Sequence, residues 1–248
     1  MGLASYDFSG RRALVTGGTR GLGLQVAASL AEAGAEVTVT GTASLVSFYE
    51  PIVARFGYHQ VDLTDGDEIA ALAELLGPVD ILVNAAAPRI STAADDNERE
   101  FLGQAARLTL IGPLQLATRL RHRMASSEMR GGGSIVNLPA TRGWFALAAG
   151  GPGPDAELER TTHRVGSTWG RLGVRVNSIT APVAVPAPRS GAGWSARPAA
   201  DGAAGQLLTR TTSLTVVQEQ VLDLTLFLAS SGAAGLSGQT LPVGGTLG

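Results

Sequence analysis

The sequence contains neither cysteine nor lysine, and both absences limit its chemistry. Without cysteine there can be no disulfide, thiolate metal site or thiol nucleophile. All 19 basic residues are arginine, so no catalytic step can use a lysine ammonium group. The three histidines, His59, His122 and His163, lie far apart in the sequence, and we predict no metal site.

Long hydrophobic runs and a strong net charge are also missing. No apolar run could span a bilayer, and residues 1–10 lack the segments of a signal peptide. A net charge of −2 gives no reason to expect nucleic acid or an anionic membrane as a partner. We therefore expect a cytoplasmic protein that binds a small-molecule substrate. With 248 residues, 44% of them hydrophobic, residues 1–248 are predicted to form one domain.

The most informative stretch is A-L-V-T-G-G-T-R-G-L-G at residues 13–23. A short apolar run stops at glycines, and apolar residues at helical spacing follow, which predicts a strand, a tight turn and a helix. Such a turn leaves backbone N–H groups and the positive end of the helix dipole free to hold a pyrophosphate. Gly17 permits the turn, Gly21 lets a phosphate approach the backbone, and Gly23 lets the helix and strand pack closely.

Strand and helix patterns alternate along the rest of the chain, which is typical of an α/β fold. Further strands are predicted at residues 36–40, 58–63, 79–83, 134–138, 174–179 and 238–243. Helices are predicted at 45–56, 68–76, 95–124 and 155–172, and from 215 onward. The long helix at 95–124 is expected to bend at Gly112-Pro113.

The spacing T-G-x-x-x-G-x-G at 16–23 resembles the short-chain dehydrogenase/reductase family. Other segments that resemble the family recur in order: V-D-L-T-D at 61–65, I-L-V-N-A-A-A at 81–87, G-S-I-V-N at 133–137, R-V-N at 175–177 and S-G-Q-T-L-P-V-G-G at 237–245. The resemblance implies a single-domain Rossmann fold, a doubly wound and mostly parallel seven-stranded sheet with helices on both faces. It also implies a homotetramer or homodimer that pairs through helices 95–124 and 155–172.

The end of the second strand decides the type of cofactor. A carboxylate there would bind the adenosine ribose of NAD, but this chain has Gly41, Thr42 and Ala43. Arg20 lies where NADP-dependent members of the family often carry a basic residue. NADP(H) is therefore favoured over NAD(H), in either a redox-active or a structural role. The resemblance implies these cofactor-binding residues: Gly17, Thr19, Arg20, Gly21, Leu22, Gly23, Thr42, Asp62, Leu63, Asn84, Ala85, Pro182 and Val185.

The chain departs from the family at all four catalytic positions. Thr109 stands where the family has an active-site Asn, and Ala140 replaces the Ser that holds the substrate carbonyl. The resemblance places the family's Tyr near Gly151 or Gly153 and its Lys four residues later, and neither residue is present there. Tyr6, Tyr49 and Tyr58 precede or begin early strands and are rejected as replacements. Ordinary ketone reduction is therefore not expected.

Asp155 is the carboxylate nearest the vacated Tyr and Lys positions. It either takes part in catalysis or caps the helix that it begins. Loops that should border the substrate pocket carry Arg89, Thr141 and Arg142, beside Thr109 and Ala140. A Gly/Ala/Pro-rich stretch within 183–214 is a candidate substrate lid.

Two functional hypotheses remain open. In the first, the protein is an enzyme of specialised metabolism that catalyses cyclisation, isomerisation or iminium-type reduction of a small organic substrate. An iminium ion already bears positive charge, so its reduction needs no proton donor. In the second, the protein is a catalytically silent subunit or binding module that partners a competent reductase.

Overall fold

The computed structural model describes residues 6–87, 103–138, 154–180 and 214–243. Seven strands form one sheet in the order β3-β2-β1-β4-β5-β6-β7, and every pairing is parallel. The predicted α/β fold with a doubly wound parallel sheet is therefore confirmed. The strands are β1 (Arg12–Thr16), β2 (Glu36–Gly41), β3 (Gly57–Gln60), β4 (Ile81–Asn84), β5 (Gly133–Asn137), β6 (Val174–Thr180) and β7 (Thr240–Pro242).

Helices cover both faces of the sheet. They are α1 (Gly21–Glu32), α2 (Gly66–Leu75), α3 (Gly112–Ala125), α4 (Pro154–Trp169) and α5 (Leu214–Ala229). Side chains of consecutive strand residues point to opposite faces. Val15 accordingly packs in a core with residues of α1 and α5, whereas Leu14 packs in a second core with residues of α2, α3 and α4. The nearly continuous apolar strands of the sequence reflect this burial on both sides.

One helical prediction needs correction. Residues 45–56 do not form an α-helix but two short 3₁₀ helices, Val46–Phe48 and Pro51–Arg55. Pro51 explains the break, because it donates no N–H and holds Glu50 in an extended conformation with ψ of 145°. The predicted helix at 95–124 is irregular just before Gly112, where Arg107–Ile111 forms a π-helical turn; residues 95–102 lie outside the described part.

The buried Arg175 fixes one end of helix α5 to strand β6. Its side chain is 2% exposed and donates to the carbonyl oxygens of Leu228 (2.8 Å), Ala233 (3.1 Å) and Ser230 (3.2 Å). Burial lowers the pKa of Arg175 to about 10, so the guanidinium stays charged at neutral pH. The negative end of the α5 dipole stabilises that charge.

The carboxyl ends of the parallel strands meet along one edge of the sheet. The strand order reverses between β1 and β4. Strands β2 and β3 follow β1 toward one edge of the sheet, and β5, β6 and β7 follow β4 toward the other. A crevice at such a switch point is where open α/β sheets bind ligands. None of the helices in the described ranges is long and apolar enough to cross a membrane.

Candidate cofactor and substrate site

The glycine turn between β1 and α1 has the geometry that the sequence predicts. Gly17 has φ of +65°, and a β carbon there would lie 2.6 Å from Ala86 Cα, so only glycine fits. A β carbon at Gly23 would lie 2.5 Å from the carbonyl oxygen of Gly17, which shows how closely helix and turn pack. Gly21 faces open space, with no atom within 4 Å of its β-carbon position. The turn is therefore closed toward the protein and open toward a ligand.

The first turn of α1 presents unpaired backbone N–H groups at this opening. Arg20 is the N-cap residue, is exposed, and makes no side-chain capping bond. Leu22 is partly buried against the core beside α1. Because the first N–H groups of a helix have no partner within the helix, those of this turn remain available as donors. Thr19 is buried in the turn itself. Backbone donors and the helix dipole suit a phosphate group, so the turn fits the pyrophosphate of a dinucleotide.

Residues that follow β2 and β3 lie along the same edge of the sheet. Thr42 is exposed, and its carbonyl oxygen accepts a bond from the Gln60 side chain at 3.2 Å. Asp62 accepts bonds from the N–H and the hydroxyl of Thr64, both at 2.8 Å, so one carboxylate oxygen is held within its own turn. Leu63 is buried.

A network of hydrogen-bonded polar side chains, called here the polar network, joins the carboxyl ends of β4, β5 and β6. Asn84 donates to the Asn137 side-chain oxygen at 2.8 Å, and Asn137 donates to Ser178 Oγ at 3.2 Å. Ser178 Oγ lies 2.6 Å from Thr162 Oγ1 on helix α4. The polar network was not predicted from the sequence. Its sequence signal is the pair of runs I-L-V-N and S-I-V-N, which place Asn84 and Asn137 in register on neighbouring strands.

The polar network ends at Asn84 in an unpaired acceptor beside a small cavity. Asn84 Oδ1 is buried and has no hydrogen-bond partner among the described residues. The cavity has a volume of about 20 Å³, and Asn84, Asn137, Thr161 and Thr162 contribute its polar lining. A space of this size and polarity suits one water molecule. Ala85, the next residue, donates its N–H to the carbonyl of Thr16 at 3.2 Å and so holds the end of β4 beside the glycine turn.

The predicted catalytic side is described only in part. Thr109 lies in the π-helical turn, and its hydroxyl donates to the carbonyl of Ala105 at 2.8 Å. Asp155 is the second residue of α4, a helix that runs from the carboxyl edge of the sheet back to the start of β6. The other predicted residues lie outside the described ranges: Arg89, Ala140, Thr141, Arg142, Pro182, Val185 and, apart from Leu214, the candidate lid at 183–214.

Two tyrosines lie elsewhere than their sequence positions indicate. Tyr49 and Tyr58 precede or begin β3, but their hydroxyl groups meet at Ala43, just beyond the carboxyl end of β2. The Ala43 N–H donates to Tyr49 Oη at 2.8 Å, and Tyr58 donates to the Ala43 carbonyl. Both hydroxyl groups therefore lie at the carboxyl edge of the sheet, where the sequence predicted neither of them.

The glycine turn at a helix N-terminus, at the switch point of a doubly wound parallel sheet, defines a dinucleotide-binding domain. No group of three or more metal-ligating side chains occurs in the part of the chain that the structure describes. A family model described as enoyl-(acyl carrier protein) reductase matches residues 17–246. The chain belongs to the short-chain dehydrogenase/reductase family.

Relatives of this chain are dehydrogenases and reductases. Gluconate 5-dehydrogenase of Gluconobacter oxydans is 26% identical over 97% of this chain and 95% of that protein. A solved short-chain dehydrogenase/reductase family protein is 30% identical, covers 96% of this chain and 97% of that one, and has a TM-score of 0.68. A gluconate 5-dehydrogenase from Burkholderia cenocepacia, solved with NADP and tartrate, is 22% identical, covers 97% of this chain and 96% of that one, and has a TM-score of 0.69. This last likeness shows the fold alone.

Proposed function

We propose that this chain is an NADP(H)-binding enzyme that acts on a small organic substrate by cyclisation, isomerisation or iminium-type reduction, and not by ordinary ketone reduction. The observation that carries the proposal is a contrast between the two halves of the site. The glycine turn keeps the geometry of a phosphate cradle, with Gly17 closed against Ala86 and Gly21 open. The phenol and the ammonium group that ketone reduction needs are missing from residues 150–157, where the family's Tyr and Lys are expected.

Two features of the described residues support NADP(H) as the cofactor. The first-turn N–H groups of α1 would hold the pyrophosphate, and Arg20 would lie beside a 2′-phosphate. Bound and reduced, the nicotinamide would supply a hydride.

The substrate side favours a cationic reacting group. Reduction of a ketone produces an alkoxide that must receive a proton, and Thr109, whose hydroxyl is bound to Ala105, is a poor acid for that purpose. Addition of hydride to an iminium carbon gives a neutral amine and needs no proton. The carboxylate of Asp155 would stabilise such a cation, and it would repel an alkoxide.

We predict that the protein binds NADPH more tightly than NADH. Arg20 offers a charge-assisted contact to the 2′-phosphate, and Arg20→Ala should weaken NADPH binding about tenfold with little effect on NADH. Arg11→Ala, which removes another arginine near β1, serves as the control and should change neither affinity. Isothermal titration calorimetry measures both cofactors. Equal affinities in the wild type, or binding of neither cofactor, would contradict the assignment.

We also propose that the protein is a homotetramer or homodimer, with α3 and α4 forming the interface. These two helices pack side by side, with the Arg121 guanidinium 5.7 Å from the centre of the Trp169 ring. Ile111 and Leu172, which flank them in sequence, are 46% and 58% exposed. Light scattering at micromolar concentration should give the mass of two or four chains. A monomer would rule this proposal out.

A further inference from the structure

The carboxyl end of β2 is occupied by a side chain from the following loop. Gly41 is the last residue of β2, and a β carbon there would collide with Tyr49 Oη and lie 2.8 Å from Thr19 Cγ2. An acidic residue at the end of this strand is what binds the adenosine ribose in NAD-dependent Rossmann domains. In this chain a neutral phenol fills the space into which that side chain would project.

The position of the Tyr49 hydroxyl is fixed by the surrounding backbone. Tyr49 lies between the two 3₁₀ helices, and its ring packs against the ring of Tyr58 with 5.8 Å between their centres. Tyr58 donates to the carbonyl of Ala43, and the N–H of Ala43 donates to Tyr49 Oη. Both phenols are therefore bound to the same residue, immediately beyond the end of β2.

The hydrogen-bond directions leave the Tyr49 proton available. Tyr58 uses its proton on Ala43, and the other contact between the two hydroxyls is long, at 3.5 Å. Burial alone would raise the pKa of Tyr49, but hydrogen bonds, among them the one from the Ala43 N–H, outweigh it and lower that pKa. A phenol with a lowered pKa is a stronger hydrogen-bond donor toward an anion such as a phosphate.

A 2′-phosphate is an anion that binds to hydroxyl and N–H donors. The Tyr49 hydroxyl and the Thr19 side chain both lie next to the Gly41 position, and Arg20 follows Thr19 in the glycine turn. The end of β2 is the point where the adenosine ribose lies in dinucleotide-binding domains of this kind.

We propose that Tyr49 determines cofactor specificity by donating its hydroxyl proton to the 2′-phosphate of NADP(H), together with Thr19, Thr42 and Arg20. This inference rests on the proposed function, because it requires that the chain bind the dinucleotide. It assigns a role to a loop residue that the glycine motif does not include. It also explains why β2 ends in glycine, since any larger residue would displace the phenol.

The experiment compares wild type with Tyr49→Phe by isothermal titration calorimetry against NADPH, NADH, adenosine 2′-monophosphate and adenosine 5′-monophosphate. Tyr49→Phe keeps the ring and removes the hydroxyl. It should weaken NADPH and the 2′-monophosphate about tenfold, the usual effect of losing one hydrogen bond to a charged group. NADH and the 5′-monophosphate should change by less than about twofold.

Tyr6→Phe is the matched control, because Tyr6 stacks on Phe8 in the segment before β1 and has no contact with Ala43 or Thr19. It should leave all four affinities unchanged. A wild type that binds neither dinucleotide would refute the proposed function itself. A Tyr49→Phe variant that keeps the wild-type ratio of NADPH to NADH affinity, whether both are unchanged or both fall equally, would overturn the role of Tyr49 and leave cofactor binding intact. Tighter NADPH binding in the variant would overturn it too.

Discussion

Arg175→Ala should lower the free energy of unfolding by about 3–5 kcal/mol, because it removes four hydrogen bonds to carbonyl groups together with the volume of a buried side chain. The wild-type guanidinium spans the last residues of α5 and the turn that follows, and it bonds to Leu228, Ala229, Ser230 and Ala233. The last carbonyls of a helix have no partners within the helix, so an outside donor must satisfy them when they are buried. Alanine would also leave a cavity between β6 and α5.

The measurement is chemical or thermal unfolding followed by circular dichroism. For a domain of this size the expected loss corresponds to a fall in Tm of roughly 10 °C. Arg175→Met keeps most of the volume and should cost less than alanine, which separates the hydrogen bonds from the cavity.

Arg12→Ala provides the matched control for that experiment. Arg12 pairs with Glu36 at 3.3 Å, but the two side chains are 52% and 77% exposed. Exposed ion pairs of this kind contribute about 1 kcal/mol or less. If the two alanine variants were equally stable, the carbonyl contacts of Arg175 would not be supporting the end of α5.

Much of the fold could be predicted because its information is local. Strands β1, β4 and β5 contain short apolar runs that end at Thr16, Asn84 and Asn137, and the alternation of strand and helix patterns fixes the class of fold. The glycine turn was readable for the same reason, since Gly17 and Gly23 are required by contacts within one strand–turn–helix unit. The helix predicted at 45–56 was wrong because one proline outweighs the apolar pattern around it.

The candidate site was harder to predict because its parts are distant in sequence. Tyr49 was rejected on its position before β3, but the loop folds back and brings its hydroxyl to the end of β2. The polar network from Asn84 to Thr162 joins three strands and a helix. No regular spacing in the sequence relates Thr162 to the three strands. Pairwise contacts of this kind follow from the sheet register, which a single sequence does not state directly.

Different kinds of observation support the cofactor half and the reacting half of the site. Backbone geometry supports phosphate binding at the glycine turn, and the side chains at the end of β2 add a means of choosing between two dinucleotides. The reacting half is defined by what residues 139–155 lack, together with the place of Asp155 on α4. The two halves can be tested separately, because cofactor affinity does not depend on the identity of the substrate.

Asp155→Asn should reduce turnover about a hundredfold once a substrate has been found, which is the low end of the range for losing one group that stabilises charge in the transition state. Asp155 is the second residue of α4, seven residues before Thr162, whose hydroxyl bonds to Ser178 at the carboxyl end of β6. Seven residues of helix rise by about 10 Å, which carries the start of α4 beyond the strand ends toward the ligand-binding edge. Asparagine keeps the size of the side chain, and losing one negative charge in the first turn of a helix costs at most about 1 kcal/mol, so folding and NADPH binding should hardly change.

Glu157→Gln is the control for that substitution, because it neutralises a second carboxylate on the same helix. Glu157 pairs with Arg160 at 2.6 Å, and its side chain is 45% exposed. Its loss should leave turnover near the wild-type value. The substrate panel should contain cyclic iminium ions beside simple ketones, with NADPH oxidation measured at 340 nm and products identified by mass spectrometry. A carboxylate that stabilises a cation accelerates the first class and not the second. Ready reduction of simple ketones by the wild type, or wild-type rates in Asp155→Asn, would mean that the chemistry does not depend on this carboxylate.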